Sequence, residues 1–233
     1  MSSALLHAGT VLMAATVVGL WRRGRVGHLR SWTAYLFLLV TWQTLVAVRP
    51  GLFNWPAWST KELLCATLQF LIAVEVAGTG FGRVLRARRL WYGWLFVVGC
   101  ATVVYLAAVP SGTRPDGWAR FVGLVVVPRL NLAEAFLFAG LALIALMEDV
   151  PLRGLHKAVL VGLSAYFLVF VVAVDQLTIF GRFASPWSNT IMASAWIVVS
   201  GFWAREAWRA DEVVGAISVP APVRRLWPWA SPA

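Results

Sequence analysis

The chain has 233 residues, of which 60% are hydrophobic and 13% charged, where a soluble domain carries roughly 25% charged residues. Mean hydropathy is +0.76 and the formal net charge is +10. These values exclude a disordered chain, a collagen and an ordinary soluble enzyme, and the apolar residues fall in long runs.

A bilayer core is crossed by about 20 apolar residues rising about 1.5 Å each. In chain order, Ser2–Trp21 and Ser31–Val48 are free of charged side chains. Leu63–Gly82 is interrupted only by Glu75, and Leu90–Thr113 by none. Trp118–Met147 is long and holds Arg120, Arg129 and Glu134. Ala158–Gly181 is broken only by Asp175, and Phe183–Ala204 is again uncharged. The expectation is an all-α polytopic membrane protein with seven transmembrane helices over residues 1–208. A cytoplasmic tail containing Pro, Trp and Arg follows over 209–233. Four prolines, from Pro220 to Pro232, argue against a continuous helix past Ile217. The tail reads equally as an interfacial strap on anionic lipid or as a disordered segment.

Orientation follows from the basic residues. Fourteen of the twenty lie in the loops after spans one, three and five and in the tail, against five on the opposite side. Basic loops stay in the cytoplasm, so the N-terminus is expected outside and the C-terminus inside, in a bacterial inner (plasma) membrane. The first span lacks a basic segment before its apolar run, so it reads as a retained helix and not a signal peptide. The positive charge then serves topology and contact with lipid headgroups, and no nucleic-acid partner is expected. Of the 14 tryptophans, Trp21, Trp32, Trp91, Trp94, Trp203 and Trp208 fall near one set of span ends. Trp55, Trp58, Trp118 and Trp187 fall near the other, which suggests an interfacial aromatic belt.

Several chemistries lack their residues. The last span has no lysine for a retinal Schiff base. His7, His28 and His156 form no pair at a shared depth for haem. There is no metal-ligand spacing, no phosphate-binding glycine loop and no Ser-His-Asp arrangement. Cys65 and Cys100 both lie in apolar runs and form no disulfide framework. No catalytic residue, metal or cofactor is expected, and the protein is read as a non-enzyme.

The polar residues inside the spans carry what remains, because a charge at the bilayer centre costs about 2.5 kcal/mol or more. Span three has a polar face bearing Glu62, Cys65, Gln69, Glu75 and Thr79. Its Glu75 is either a structural carboxyl bonded to a neighbouring helix or a proton-carrying or ligand-binding group. In span five, Asn131 and Glu134 share a face and Arg129 points nearly opposite to Asn131. Pro128 leaves two readings there, a single long tilted helix or a separate outer segment before a new helix. Arg129 and Asp175 lie in the same half of the bilayer and suggest an ion pair between spans five and six. Gln43 and Asn189 lie at comparable depth. The ligand-binding candidates are therefore Gln43, Gln69, Glu75, Arg129, Asn131, Glu134 and Asp175. Gly78 with Gly82, and Ser200 with Ala204, have the small-xxx-small spacing of close helix packing.

Seven helices with an outer N-terminus and short loops resemble the seven-helix membrane sensor modules at the front of bacterial histidine kinases. Glu62-Leu63-Leu64, then Gln69-Phe70-Leu71-Ile72-Ala73-Val74-Glu75-Val76, looks like the helix of those modules that ends on an acidic residue before a basic cytoplasmic loop. The resemblance implies a sensor or receptor that binds a small or lipophilic ligand, or a partner, through its bundle. Those modules run on into an output domain and this chain does not. The expectation is thus a stand-alone module signalling through a protein partner in the membrane or a cytoplasmic signalling protein. The alternatives are an accessory subunit of a larger membrane complex and a proton- or cation-coupled transporter using Glu75 and Glu134.

Overall fold

The computed structural model describes residues 3–108, 117–180, 185–210, 214–215 and 217, and the side chains of 3–6, 174–180 and 185–186 lie outside that description. The helices are α1 (Ser3–Arg22), α2 (Arg30–Val48), α3 (Trp55–Gly80), α4 (Leu85–Ala107), α5 (Trp118–Phe121), α6 (Val127–Met147), α7 (Gly154–Phe180) and α8 (Ser185–Trp208). A π turn, Val122–Val126, joins α5 to α6 without a break. Seven long helices result among the described residues. Five stretches are long and apolar enough to cross a membrane: Arg30–Val48, Trp55–Arg83, Leu85–Ala107, Trp118–Met147 and Gly154–Ala173.

The helix ends have local causes. α3 begins eight residues before its apolar run because Asn54 caps it, accepting the Ala57 amide at 3.0 Å, with Pro56 in the first turn. Between the two readings of Pro128, the structure has one continuous helix. Proline offers no amide to the preceding turn, and the ladder widens to a π turn just before it. α6 ends with Asp149 in the left-handed region (φ 44°) while the Val150 amide reaches the Ala145 carbonyl at 3.0 Å. Hydroxyls on apolar helix faces are satisfied by their own helix: Thr16, Thr44, Thr67 and Thr102 each bond the carbonyl four residues back.

Six helices close a ring in the order α1, α2, α3, α6, α7, α8 and back to α1, with α3 also touching α7 across the middle. α4 stands outside the ring against α6 and buries only Ala87 and Trp91. Consecutive long helices alternate in direction, so one end of the bundle holds Lys61 and the other Arg25. At the Arg25 end, β1 (Leu152–Arg153) pairs antiparallel with β2 (Val214–Gly215), and Ile217 packs on the core. Part of the tail is therefore tied to the bundle, and its remaining residues lie outside the description.

Two expectations about packing are corrected. Trp32 and Trp203 are completely buried and Trp91 nearly so, so these three are core and not belt. They meet helix faces that the level of the residue along its span does not reveal. Trp21, Trp118 and Trp187 are the most exposed of the described tryptophans, at 76%, 60% and 75%, with Trp55 and Trp208 also exposed. Gly78 and Gly82 face open space, and it is Gly80 between them that sits under Leu152. The Gly78/Gly82 spacing therefore does not mark a packed face, because the segment after α6 packs Leu152 on the other side of α3.

Candidate functional site

A polar cavity of about 270 Å³ opens at the Lys61 end of the ring. α2 supplies Tyr35 and Gln43, α3 supplies Lys61, Glu62, Cys65 and Gln69, and α6 supplies Asn131. α7 adds Tyr166, Phe167 and Phe170, and α8 adds Asn189 and Trp196. Each ring helix except α1 contributes a wall, and α1 supports one of them: Thr10 donates its hydroxyl to the Gln43 side-chain oxygen. Between α3 and α2, Gln69 donates its amide to the Tyr35 hydroxyl at 3.0 Å. Lys61 and Glu62 form an ion pair at 2.5 Å, with side chains only 13% and 21% exposed. Ser59, fully buried, ties the mouth to α5 by donating to the Ala119 carbonyl at 2.7 Å.

The cavity thus has one cation, one anion and four carboxamides above an aromatic floor. The floor continues into the core. Tyr166 meets Trp196 edge to face at 4.8 Å, Trp196 meets Trp203 at 5.6 Å, and Trp203 meets Trp32 at 5.6 Å. Such edge contacts suit the ring quadrupoles and hold the ladder in one geometry. It runs from the cavity to the Arg25 end of α2 and α8.

Of the sequence candidates, Gln43, Gln69 and Asn131 meet here, with Asn189. Glu75, Arg129 and Glu134 do not line this cavity. Glu75 is two turns further along α3, and its two oxygens accept the amides of Arg30 and Ser31, each at 2.9 Å. The N-cap residue of α2 is Leu29, which has no side-chain acceptor, so Glu75 supplies the cap from another helix. Arg129 donates to its own Val125 carbonyl at 2.9 Å and lies over the Tyr105 ring at 4.7 Å. The side chain of Asp175 lies outside the described residues, so the proposed pairing with Arg129 does too. Glu134 is buried, 5% exposed, against a separate crevice.

The apolar run of span three begins at Leu63 and so leaves Lys61 outside it, and Tyr35 and Tyr166 lie within apolar runs with no charge to mark them. The signal available for Lys61 was Asn54-Trp55-Pro56, a capping sequence that extends α3 outward and carries Lys61 into the bundle. No group of three or more His, Cys, Asp or Glu side chains that could hold a metal occurs among the described residues.

No protein-family model, curated protein or solved structure matches the chain.

Proposed function

We propose that this is a non-catalytic, seven-span inner-membrane protein of sensor type, with its N-terminus outside, that binds a small polar ligand in the cavity at the Lys61 end. All seven long helices cross the bilayer in this reading, α1 and α8 with the five that qualify by length and hydropathy. One observation carries the proposal. Lys61, Glu62, Gln43, Gln69, Asn131 and Asn189 converge on one cavity within a largely apolar bundle. Lys61 is held by Glu62, Gln43 by Thr10 and Gln69 by Tyr35, so these polar groups stand in fixed places around the cavity, and a ligand bearing both charge signs and hydrogen-bonding groups answers their remaining donors and acceptors. The aromatic ladder gives the occupied cavity a packed route to the cytoplasmic ends of α2 and α8, where a signalling partner would read it. The engagement of Glu75 as a helix cap weighs against the transporter alternative, since it leaves Glu134 as the single intramembrane carboxyl of the two that alternative used.

The test is thermal unfolding of the purified protein in nanodiscs against a panel of amino acids, betaines and other small zwitterions. At least one is expected to raise Tm in the wild type and not in Gln43→Leu/Asn131→Leu. No shift across the panel, or an equal shift in the double variant, rejects the reading.

A further inference from the structure

A second cavity, of about 360 Å³, lies between α3, α4 and α6, where α4 leans away from the ring. Its size falls in the range of small-molecule sites, about 300–1,000 Å³. Its walls are apolar: Leu63, Phe70, Leu95, Val98, Leu130 and Leu137 among them. Thr67 and Thr102 also line it, but their hydroxyls donate to the carbonyls of Leu63 and Val98 on their own helices, at 2.9 and 2.7 Å. The remaining polar group is Glu134. It is 95% buried, from an exposure of 5%, and its Oε2 has no hydrogen-bond partner among the described residues.

An unmatched carboxyl oxygen in an apolar setting is costly to fold. Replacing Glu134 by an apolar residue would remove that cost, so its presence calls for a partner that comes and goes. We infer that the α3/α4/α6 crevice binds a lipid-soluble molecule whose single polar group is a hydroxyl, donated to Glu134. The chemistry of the walls selects this class. A carboxyl in so apolar a setting is kept neutral, so it both donates through its O–H and accepts through its carbonyl oxygen, and a hydroxyl is the single group that answers both. An ammonium would bring three donors to a crevice that offers one acceptor group. A hydrocarbon brings none and leaves the carboxyl unmatched. The remainder of the molecule is met only by aliphatic and aromatic side chains. This inference needs the bundle to lie in a bilayer, but it does not depend on the polar cavity being a sensor site.

The probe is a diazirine-bearing dodecanol, photocrosslinked to the full chain in phosphatidylcholine liposomes and mapped by peptide mass spectrometry. Label is expected on α3, α4 and α6 segments lining the crevice. Unlabelled dodecanol should compete at least about tenfold better than dodecane, the ratio that one hydrogen bond of about 1.4 kcal/mol provides. Glu134→Leu should lose that preference while its Tm is equal or higher. Gly99 lines the crevice and a Cβ there meets nothing within 4 Å, so Gly99→Leu adds bulk to it while keeping Glu134, and it should lose the label itself. If Glu134→Leu does not fold, the competition in wild type and Gly99→Leu decides alone. Equal competition by dodecane, or label that survives Gly99→Leu, means occupancy by acyl chains only and overturns the proposal. Gln43→Leu should label as wild type, so failure of the polar-cavity reading is read from a different variant.

Discussion

Trp203 on α8 lies directly over Gly162 on α7, and its indole N–H donates to the Ala158 carbonyl, four residues before that glycine, at 3.0 Å. The same relation recurs twice. Trp94 bonds the Phe136 carbonyl at 3.1 Å and covers Gly140, and Trp208 bonds the Ala15 carbonyl at 2.9 Å and covers Gly19. A helical carbonyl already accepts from the amide four residues on, and its second lone pair is free. A glycine at that fourth residue lets an indole reach it. The tryptophans thus fasten α8 to α7, α4 to α6 and α8 to α1.

In an exposed helix, Gly→Ala stabilises by up to about 1 kcal/mol. At Gly162 the sign should reverse, because the new Cβ meets a fully buried indole. Overpacking of about 1–3 kcal/mol and a weakened hydrogen bond follow. Gly140→Ala and Gly19→Ala should also destabilise, by less where the indole can swing outward. Gly78→Ala, which faces open space, should be neutral or stabilising. Unfolding midpoints of the four variants in nanodiscs check this, and a common sign for all four rejects it.

Glu75→Ala should destabilise by about 1.5–3 kcal/mol, the worth of hydrogen bonds to a charged group. Two amides at the start of α2 lose their acceptor, and Leu29 offers none. Glu75→Gln keeps one oxygen and should lose less. Hydrogen exchange localised to Arg30 and Ser31 distinguishes a lost cap from a general loosening.

Arg25 should behave as a structural residue although it sits in a basic loop. It is 7% exposed and donates to the carbonyls of Glu206 and Ala210, both at 3.3 Å, at the end of α8. Helix C-termini leave carbonyls unsatisfied and favour a cation. Arg25→Ala should destabilise by about 1.5–3 kcal/mol and speed protease cleavage after Trp208. Arg25→Lys should recover part of this, since lysine cannot reach both carbonyls with one planar fork. Unchanged cleavage in Arg25→Ala would contradict the role.

Topology is read by reporters. One fused after Ala233 should be active as a cytoplasmic fusion and one placed near Arg114 as an external fusion, as the asymmetry of the basic loops requires. Reversal of either overturns the orientation and places the Lys61 cavity on the inner side.

Helix existence and approximate extent were legible in the sequence because an apolar run about 20 residues long, bounded by charges and turn residues, is a property of one stretch of chain. That is why the long helix Trp118–Met147 matches the apolar run residue for residue. The polar residues worth watching were legible for the same reason, since each stands out against an apolar neighbourhood. Their partners were not. These helices are apolar on nearly every face, so periodicity does not say which face meets which neighbour, or in what order the helices stand around the ring. Packing alone decided that Gln43, Gln69 and Asn131 converge on Lys61 and Glu62. It also decided that Glu75 caps α2 and that Glu134 faces an apolar crevice. Contacts between helices depend on lateral position and rotation about each axis, and a hydropathy pattern nearly uniform around the helix encodes neither.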